Sequence, residues 1–440
     1  MTRRSLLTGS LAAAAAPARP NLVFLLADDL GSNDLSIQGC PDIRTPNIDS
    51  IGRGGVRFTR AYANAPECSP TRAALMTGRY QQRVGGLECA IGVGNVGRYD
   101  EAEWLANRGE LGLPVSETSI ARMLKRAGYD TACVGKWHLG YGARFSANAH
   151  GFDEYFGVLG GNADYVTHTE EDGTGVLSLN GKPVKRDGHV TDLIADHALA
   201  WLRRRKASRP FFLYVPFTAP HTPLQAAGDP PADPKRWNEG SRATYVKMVE
   251  HMDRRVGDLL AKLPSNTLVV FMSDNGGYAK SNTGTLRAGK STCWEGGIRA
   301  PLLMRWAGRI PAGTGSDQVA LTMDVSATLL AAAGVKPSRA LDGIDLMPFA
   351  EGRSKAVSRT LFWSYKRAKT RRWAAREGDW KYVLDDGAES LHDLAADEGE
   401  RDNRLAADPA RAGRMRRLLA DWKREVAPAR LREFSAVVAR

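Results

Sequence analysis

Four short, almost uninterrupted apolar runs constrain the fold of this 440-residue chain more than any other feature. They occupy residues 21–27, 131–134, 211–215 and 267–272. Such runs predict strands that are buried on both faces, as in a parallel sheet. Amphipathic segments with helical spacing lie between them, at 118–125, 192–204 and 243–263. We therefore expect an α/β fold in which helices cover a large, mostly parallel sheet.

Two of these runs end in oxygen-bearing side chains. Asp28 and Asp29 follow the first run, and Asp274 and Asn275 follow the last. Ligands of open α/β sheets bind beyond the carboxyl ends of the strands, so we expect these side chains to meet at one edge. Adjacent carboxylates repel one another unless a cation lies between them. This set of oxygens suits Ca²⁺ or Mg²⁺.

The other two runs lead to basic side chains. Lys136 and His138 follow the run at 131–134, and His221 follows the run at 211–215. Any one of these histidines, taken alone, is more simply explained as a hydrogen-bonded structural residue. Because all four runs deliver polar groups to the same edge of the sheet, we expect a functional site there.

Cys68 opens the stretch Cys-Ser-Pro-Thr-Arg-Ala-Ala-Leu-Met-Thr-Gly-Arg, which ends at residue 79. Pro70 suits the first position of a helix, which would place Cys68 just ahead of that helix and Arg72 in its first turn. Unpaired backbone amides and a guanidinium favour anionic chemistry at such a thiol. The alternative is a buried structural cysteine beside a capped helix.

The whole stretch from Cys68 to Arg79 resembles the signature of type I sulfatases. Further motifs of that family stand in the same order along the chain: the aspartate pair at 28–29, Gly-Lys-Trp-His-Leu-Gly at 135–140, Ala-Pro-His at 219–221, Ser-Asp-Asn-Gly-Gly at 273–277, and Gly289-Lys290 ahead of Glu-Gly-Gly-Ile-Arg at 295–299. The resemblance covers residues 21 to about 403. It implies the fold of the alkaline phosphatase superfamily and hydrolysis of sulfate esters.

The resemblance also implies a cofactor set. In the family the cysteine is oxidised to formylglycine by a maturation enzyme, and the hydrate of that aldehyde attacks the sulfate ester. Carried over to this chain, the nucleophile falls on Cys68. The metal ligands fall on Asp28, Asp29, Asp274 and Asn275, with residue 68 as a further ligand. The usual ion is Ca²⁺.

Roles for the basic residues follow from the same resemblance. Arg72 stabilises the hydrated aldehyde. Lys136, His221 and Lys290 surround the sulfate, and His221 or Lys290 protonates the leaving oxygen. His138 accepts a proton from the second hydroxyl of the hydrate, which releases sulfate.

Substrate choice is less visible in the sequence. Residues 160–168 resemble a segment of arylsulfatase A and N-acetylgalactosamine-6-sulfatase relatives, so Asp164 and His168 are predicted to line a sugar subsite. The alternative is a loop that supports the fold. We expect a sulfated carbohydrate or an aryl sulfate as substrate. A phosphate or phosphonate ester hydrolase, or a catalytically silent binder of sulfated glycans with unmodified Cys68, are the competing hypotheses.

The N-terminal residues 1–20 are expected to be an export signal. Arg3 and Arg4 precede an apolar run at 6–16 that is too short to cross a bilayer. The pair favours a twin-arginine signal, with a general secretory signal as the alternative. We therefore expect a periplasmic or secreted protein without stable membrane insertion. Five cysteines leave disulfide pairing open.

The sequence changes in character after about residue 356. Three short strand-like segments near 360–364, 372–376 and 380–384 are followed by a helix at about 409–426. We expect a catalytic domain at 21–355 and a small C-terminal α+β domain at 356–440 that carries an antiparallel sheet. The net charge is +12, yet no nucleic-acid motif accompanies the arginines of 401–440, which favours a solvated helix face over a nucleic-acid surface.

Overall fold

A ten-stranded sheet forms the centre of the computed structural model, which describes residues 19–438. Its strands are β1 (Asn21–Ala27), β2 (Val56–Phe58), β4 (Asp130–Val134), β5 (Glu154–Val158), β6 (Leu177–Leu179), β7 (Lys182–Pro183), β8 (Phe211–Pro216), β9 (Thr267–Ser273), β10 (Leu302–Arg305) and β11 (Thr314–Ser316). The spatial order is β11-β2-β10-β9-β1-β8-β4-β5-β6-β7. A separate pair joins β3 (Ala61–Tyr62) to β12 (Ala320–Leu321).

The middle of this sheet is parallel. Strand β1 pairs in parallel with both β8 and β9, so that Leu22 faces Phe212 on one side and Leu268 on the other. Strand β4 pairs in parallel with β8 and β5, whereas β10 and β6 run antiparallel to their neighbours. The four apolar runs are thus the adjacent central strands, which confirms the predicted fold class.

Helices cover both faces of the sheet. They are α1 (Pro46–Arg53), α2 (Cys68–Thr77), α3 (Asp100–Asn107), α4 (Ile120–Arg126), α5 (Val190–Arg204), α6 (Arg242–Leu260), α7 (Glu295–Ile298), α8 (Thr322–Ala332), α9 (Met347–Ala350), α10 (Pro409–Glu425) and α11 (Arg432–Val438). Alternate residues of β1 point to opposite faces. Phe24 therefore packs in the core with α2 and α8, and Leu25 packs in the core with α1, α5 and α6.

The C-terminal region contains a second, antiparallel sheet of four strands. These are β13 (Thr360–Arg367), β14 (Thr370–Glu377), β15 (Trp380–Asp385) and β16 (Ala388–Asp393). The first three and helix α10 were predicted, and β16 was not. Trp363 of β13 is fully buried in the same apolar cluster as helices α2 and α8. The domain division at residue 355 stays a prediction.

Helix α2 begins earlier than the sequence predicted. Cys68 is its first residue, Glu67 is its N-cap, and Pro70 occupies the third position. Proline is tolerated there because the first amides of a helix have no intrahelical partner. Arg72 consequently lies in the second turn rather than the first.

All five cysteines are free and buried. Between residues 19 and 438, no helix has the length and apolar character needed to cross a membrane. The expected export signal falls on residues 1–20, nearly all of which lie outside the described part of the chain.

Candidate active site at the ends of the parallel strands

Five elements bring most of the predicted catalytic and metal-binding residues together. Asp28 and Asp29 directly follow β1, Asp274 and Asn275 directly follow β9, and the loops after β4 and β8 supply Lys136, His138 and His221. Close backbone approach makes this possible, since a Cβ on Gly135 would lie 1.9 Å from the Pro216 carbonyl oxygen. Gly135 also has a φ of +140°, which favours glycine. Cys68 joins the group from the start of α2.

The thiol of Cys68 lies between acidic and basic groups. Its Sγ is 3.4 Å from Asp28 Oδ1, 3.3 Å from Lys136 Nζ and 3.8 Å from Lys290 Nζ. The residue is 1% exposed, so these contacts form in a poorly hydrated environment. A reactive group at this position is therefore held by hydrogen bonds from three separate segments of the chain.

Three buried carboxylates, those of Asp28, Asp29 and Asp274, converge beside this thiol. Burial, together with the nearby Asp274 carboxylate and Cys68, raises the pKa of Asp28 well above its usual value. Asn275 donates through Nδ2 to Asp29 Oδ1 at 2.7 Å, while its buried Oδ1 has no hydrogen-bond partner. Three buried carboxylates beside an unsatisfied amide oxygen form an oxygen-rich set of the kind that a divalent cation binds.

The ligand atoms are close enough for such an ion. One atom each from Asp28, Asp29, Cys68 and His221 lie within 4.8 Å of one another. The cluster of these four residues can therefore hold a metal ion.

Arg72 holds the site together from α2. Its Nε and Nη2 donate to Asp274 Oδ2 at 3.1 and 2.8 Å, and its Nη1 donates to the Lys136 carbonyl oxygen at 2.8 Å. Arg72 is 1% exposed, and a planar guanidinium with several fixed donors suits such a position. It therefore links the ends of β4 and β9 to the helix that carries Cys68.

Lys290 and His221 form a hydrogen-bonded pair. Lys290 Nζ lies 2.8 Å from Asp29 Oδ2 and 3.0 Å from His221 Nε2. His221 Nδ1 donates to the Thr222 carbonyl oxygen at 2.7 Å, so Nε2 carries the lone pair and accepts from Lys290. Burial opposes the charge on Lys290, but Asp29 and neighbouring acids raise its pKa well above the usual value. Burial and Lys290 lower the pKa of His221.

The imidazole of His138 is oriented by a single hydrogen bond. Its Nε2 lies 2.9 Å from the Ile91 carbonyl oxygen, which can only accept, so Nε2 carries the proton. The buried Nδ1 has no hydrogen-bond partner. Burial, and then the Lys136 ammonium, hold the pKa of His138 well below its usual range. His138 is thus a neutral base with an available lone pair.

The sulfatase family model matches residues 20–335 of this chain. The chain belongs to the sulfatase family. It is therefore a sulfuric ester hydrolase. A second family model, the C-terminal region of N-sulphoglucosamine sulphohydrolase, matches residues 289–423 of this sulfatase.

Curated relatives of this sulfatase include an N-acetylgalactosamine-6-sulfatase and an arylsulfatase. It is 36% identical over 363 residues to N-acetylgalactosamine-6-sulfatase of Mus musculus, covering 77% of this chain and 67% of the relative. It is 32% identical over 396 residues to arylsulfatase G of Rattus norvegicus, covering 78% of this chain and 71% of the relative.

Solved structures share the same architecture. The structure of Ps i-CgsB in complex with k-i-k-neocarrahexaose superposes with a TM-score of 0.80 at 32% identity and covers 92% of this sulfatase and 93% of that chain. The phosphonate monoester hydrolase of Agrobacterium radiobacter shares the fold, with a TM-score of 0.68 at 21% identity over 93% of this chain and 96% of that one.

A cavity of about 370 Å³ opens onto the thiol of this sulfatase. Of the predicted residues, Cys68, His138, His221 and Lys290 line it. Nine further polar residues line it: Glu67, Arg98, Asn162, Glu171, Thr222, Asn238, Tyr278, Ser291 and Arg367. Asn162 belongs to the segment 160–168, whereas the others lie outside the predicted motifs, so their position is evident only from the fold.

Asp164 and His168 do not line this cavity. The carboxylate of Asp164 accepts from the amides of Val166, Thr167 and Ala232 at 2.6 to 2.8 Å. His168 Nε2 lies 2.9 Å from the Gly188 carbonyl oxygen. Both side chains are buried and occupied by loop contacts, whereas Gly161 and Asn162 of the same segment line the cavity. A sugar-binding role for Asp164 and His168 stays a prediction.

Proposed function

We propose that this sulfatase removes sulfate from sulfated carbohydrates, with formylglycine at position 68 as nucleophile and Ca²⁺ as the metal ion. The observation that carries this proposal is the position of Cys68. Its thiol touches the acidic cluster through Asp28 and two ammonium groups through Lys136 and Lys290. Two relatives, an N-acetylgalactosamine-6-sulfatase and a protein solved with a neocarrahexaose, support a sugar substrate.

The ion would be held by the acidic cluster described above, namely Asp28, Asp29, Asp274, Asn275 and residue 68. A bound dication supplies charge neutralisation for the sulfate oxygens and acidifies the attacking hydroxyl. Ca²⁺ is favoured over Mg²⁺ because the ligands are mostly protein oxygens, whereas Mg²⁺ usually retains several waters.

Formylglycine would supply, in its hydrated form, one hydroxyl for attack on sulfur and a second through which sulfate is released. Its formation requires a maturation enzyme as partner. The twin-arginine pair at residues 3 and 4 supports export to the periplasm or the medium.

The chain's own cations bind and orient the sulfate. Lys136 is fully buried beside Cys68 and Asp28, so its ammonium faces the reacting group with little competition from water. Lys290 Nζ also lies within reach of this thiol, at 3.8 Å. Because His221 Nε2 accepts from Lys290, the proton for the leaving oxygen resides on Lys290 Nζ in this arrangement, and His221 positions it.

His138 receives a proton at Nδ1. That atom is buried, unpartnered and unprotonated, and the imidazole lines the cavity beside Cys68. A depressed pKa keeps the ring neutral at physiological pH, as a general base requires.

The experiment that tests the proposal combines mass analysis with turnover. Protein co-expressed with a maturation enzyme should yield a residue-68 peptide lighter by the difference between thiol and aldehyde, and should hydrolyse an aryl sulfate faster than an aryl phosphonate. Cys68→Ala should lower kcat by about 1,000-fold or more, since the nucleophile is lost. Cys40→Ala, which changes another buried cysteine away from the cavity, is the matched control. An unmodified Cys68 in an active enzyme would contradict the proposal, and preference for the phosphonate would favour the competing ester class.

A further inference from the structure

Arg98 contributes an unpaired guanidinium to the cavity that contains Cys68. The side chain is half-buried and lines the same cavity as His138 and Lys290. Among residues 19–438 its guanidinium makes no hydrogen bond or ion pair. The other cavity arginine differs, because Arg367 Nη1 lies 3.6 Å from Glu67 Oε1.

The backbone around Arg98 is held firmly. Its carbonyl oxygen accepts from the Ala368 amide at 2.7 Å, so the tip of the β13–β14 hairpin fixes it. The preceding Gly97 packs so closely on α3 that a Cβ would lie 2.3 Å from the Ala102 carbonyl carbon. Arg98 belongs to the loop of residues 91–98. At the start of this loop, the Ile91 amide donates to Ser69 Oγ of α2 at 3.1 Å. The guanidinium is therefore carried on a rigid loop.

The lysines beside the Cys68 thiol already have partners. Lys290, which lines the cavity, is paired with Asp29, and the fully buried Lys136 is paired with Asp28. Glu67, the buried acid of the cavity wall, accepts from the Ala90 amide and from Ser291 Oγ. The exposed Glu171 also lines the cavity, but no hydrogen bond or ion pair joins it to Arg98. The positive charge of Arg98 is thus uncompensated by the described protein.

A charge that is partly removed from water and has no partner is costly, and a bound anion offsets that cost. We propose that Arg98 forms a second anion subsite, which selects sugars carrying another anionic group, a carboxylate or a sulfate, close to the sulfate that is cleaved. A guanidinium suits both groups, because its planar donors match either one with two parallel hydrogen bonds. This inference rests on the proposed function, since it names the class of sugar that the same cavity takes.

The edge of the cavity fits a sugar of this kind. Tyr278 is 39% exposed and lines the cavity, and its ring lies 5.4 Å from Lys290 Nζ. An exposed aromatic face beside polar groups such as Asn162 and Asn238 is typical of surfaces that bind sugar rings. A doubly anionic sugar would then place one anion near Cys68 and the other near Arg98.

The test compares three sugars: a monosulfated hexosamine, the same hexosamine with a second sulfate, and a disaccharide that joins the monosulfated hexosamine to a uronic acid. For each protein we define the selectivity as kcat/KM on a doubly anionic sugar divided by kcat/KM on the monosulfated one. Arg98→Gln should lower this selectivity by about 10- to 100-fold, the loss expected for a hydrogen bond to a charged group. Arg98→Lys should recover only part of it.

Arg126→Gln is the matched control, because Arg126 is exposed on α4 and lies outside the cavity. It should leave the selectivity unchanged. The disulfated hexosamine and the uronic acid disaccharide distinguish the two sources of the second anion. The sugar for which Arg98→Gln lowers the selectivity shows whether the subsite binds a sulfate or a carboxylate.

An unchanged selectivity in Arg98→Gln on both doubly anionic sugars would overturn the inference. An equal loss on all three sugars would also overturn it, because Arg98 would then bind the cleaved sulfate itself. The selectivity is also measured in the Cys68→Ala protein, as the ratio of the calorimetric affinities for a doubly anionic sugar and for the monosulfated one. This second measurement does not depend on turnover. Failure of the proposed function would appear separately, as a wild-type enzyme that hydrolyses no sulfate ester.

Discussion

At the scale of single residues, the unpaired Nδ1 of His138 leads to a prediction about the kinetics of the His138→Ala variant. If this atom serves only the release of sulfate, His138→Ala should release about one equivalent of phenol per enzyme from an aryl sulfate. The steady-state rate should then fall by about 100- to 10,000-fold, the usual contribution of a general base. The measurement is rapid-quench phenol release.

His197→Ala is the control for this variant, since His197 is paired with Glu154 and lies outside the cavity. It should leave both the first turnover and the steady state unchanged. A slow first turnover in His138→Ala would show instead that His138 acts in the attack on sulfur.

Residues in motifs could be predicted from the sequence, whereas Arg98 could not. Asp28, Lys136 and Asp274 follow apolar runs directly, so the topology of a parallel sheet is enough to bring them together. Arg98 lies in a glycine-containing loop without a motif. Its place in the cavity depends on the Ala368 amide, which is distant in sequence.

At the scale of elements, the acidic cluster joins the ends of β1 and β9 and should couple metal binding to stability. Ca²⁺ should raise the melting temperature and EDTA should lower it, because an ion that binds only the folded state adds about 2.7 kcal/mol at 100 times its Kd. Asn275→Ala removes the unsatisfied Oδ1. It should raise the Ca²⁺ concentration that gives half of this stabilisation by about 10-fold or more.

Differential scanning fluorimetry across a Ca²⁺ series checks this prediction without any assay of activity. Asn107→Ala, an exposed change at the end of α3, is the control and should follow the wild-type curve. If the Ca²⁺ concentration at the midpoint were the same in Asn275→Ala as in the wild type, this side chain would not be a ligand of the ion.

The segment after β4 should also make stability depend on pH. His150 packs 5.7 Å from the Trp137 ring, donates through Nε2 to the Leu113 carbonyl oxygen, and is fully buried. Burial lowers the pKa of His150 to about 4. The imidazole takes up a proton near pH 6.5 in the unfolded chain but only near pH 4 in the folded protein. The contribution of neutral His150 to the free energy of unfolding is therefore complete above about pH 6.5. It is lost as the pH falls towards 4, by about 3 kcal/mol in total.

His150→Gln keeps an N–H donor for Leu113 and removes the titration. Its free energy of unfolding should therefore fall less steeply than that of the wild type between pH 6.5 and 4. Urea denaturation at several pH values measures both slopes. Equal slopes in the two proteins would show that His150 does not titrate in this range.

Strand prediction succeeded where a run was apolar on both faces. The ends of β1, β4, β8 and β9 agree with the sequence to within one residue. The short strands β2, β6 and β10 escaped prediction because three or four residues carry too little periodicity. Strand β16 alternates buried Leu391 with polar neighbours and pairs only with β15, so its segment lacked a continuous apolar signal.

At the scale of the whole molecule, a buried charge cluster connects the C-terminal sheet to the catalytic region. Lys381 of β15 is fully buried and lies 2.9 Å from Glu295 of α7 and 2.8 Å from Glu400. Glu295 also accepts from Tyr62 Oη at 2.7 Å. The sequence predicted a separate C-terminal unit and did not predict this connection, because pairing of distant charges leaves no local pattern.

Lys381→Met should lower the free energy of unfolding by about 3–5 kcal/mol, since two buried carboxylates lose their shared cation. Because α7 follows closely after Lys290, activity should fall together with stability. Lys369→Met, at the exposed β13–β14 turn, is the control. A fully stable Lys381→Met protein would show that the two glutamates do not depend on this lysine.

Every residue of α2, from Cys68 to Thr77, is buried. A second enzyme that had to grip the chain on both sides of Cys68 would find no free backbone there once the sheet and helices had assembled. If Cys68 is converted to formylglycine as proposed, that conversion would have to take place before folding is complete. The interval between synthesis and folding, rather than the amount of enzyme made, would then set the fraction of molecules that ever become active.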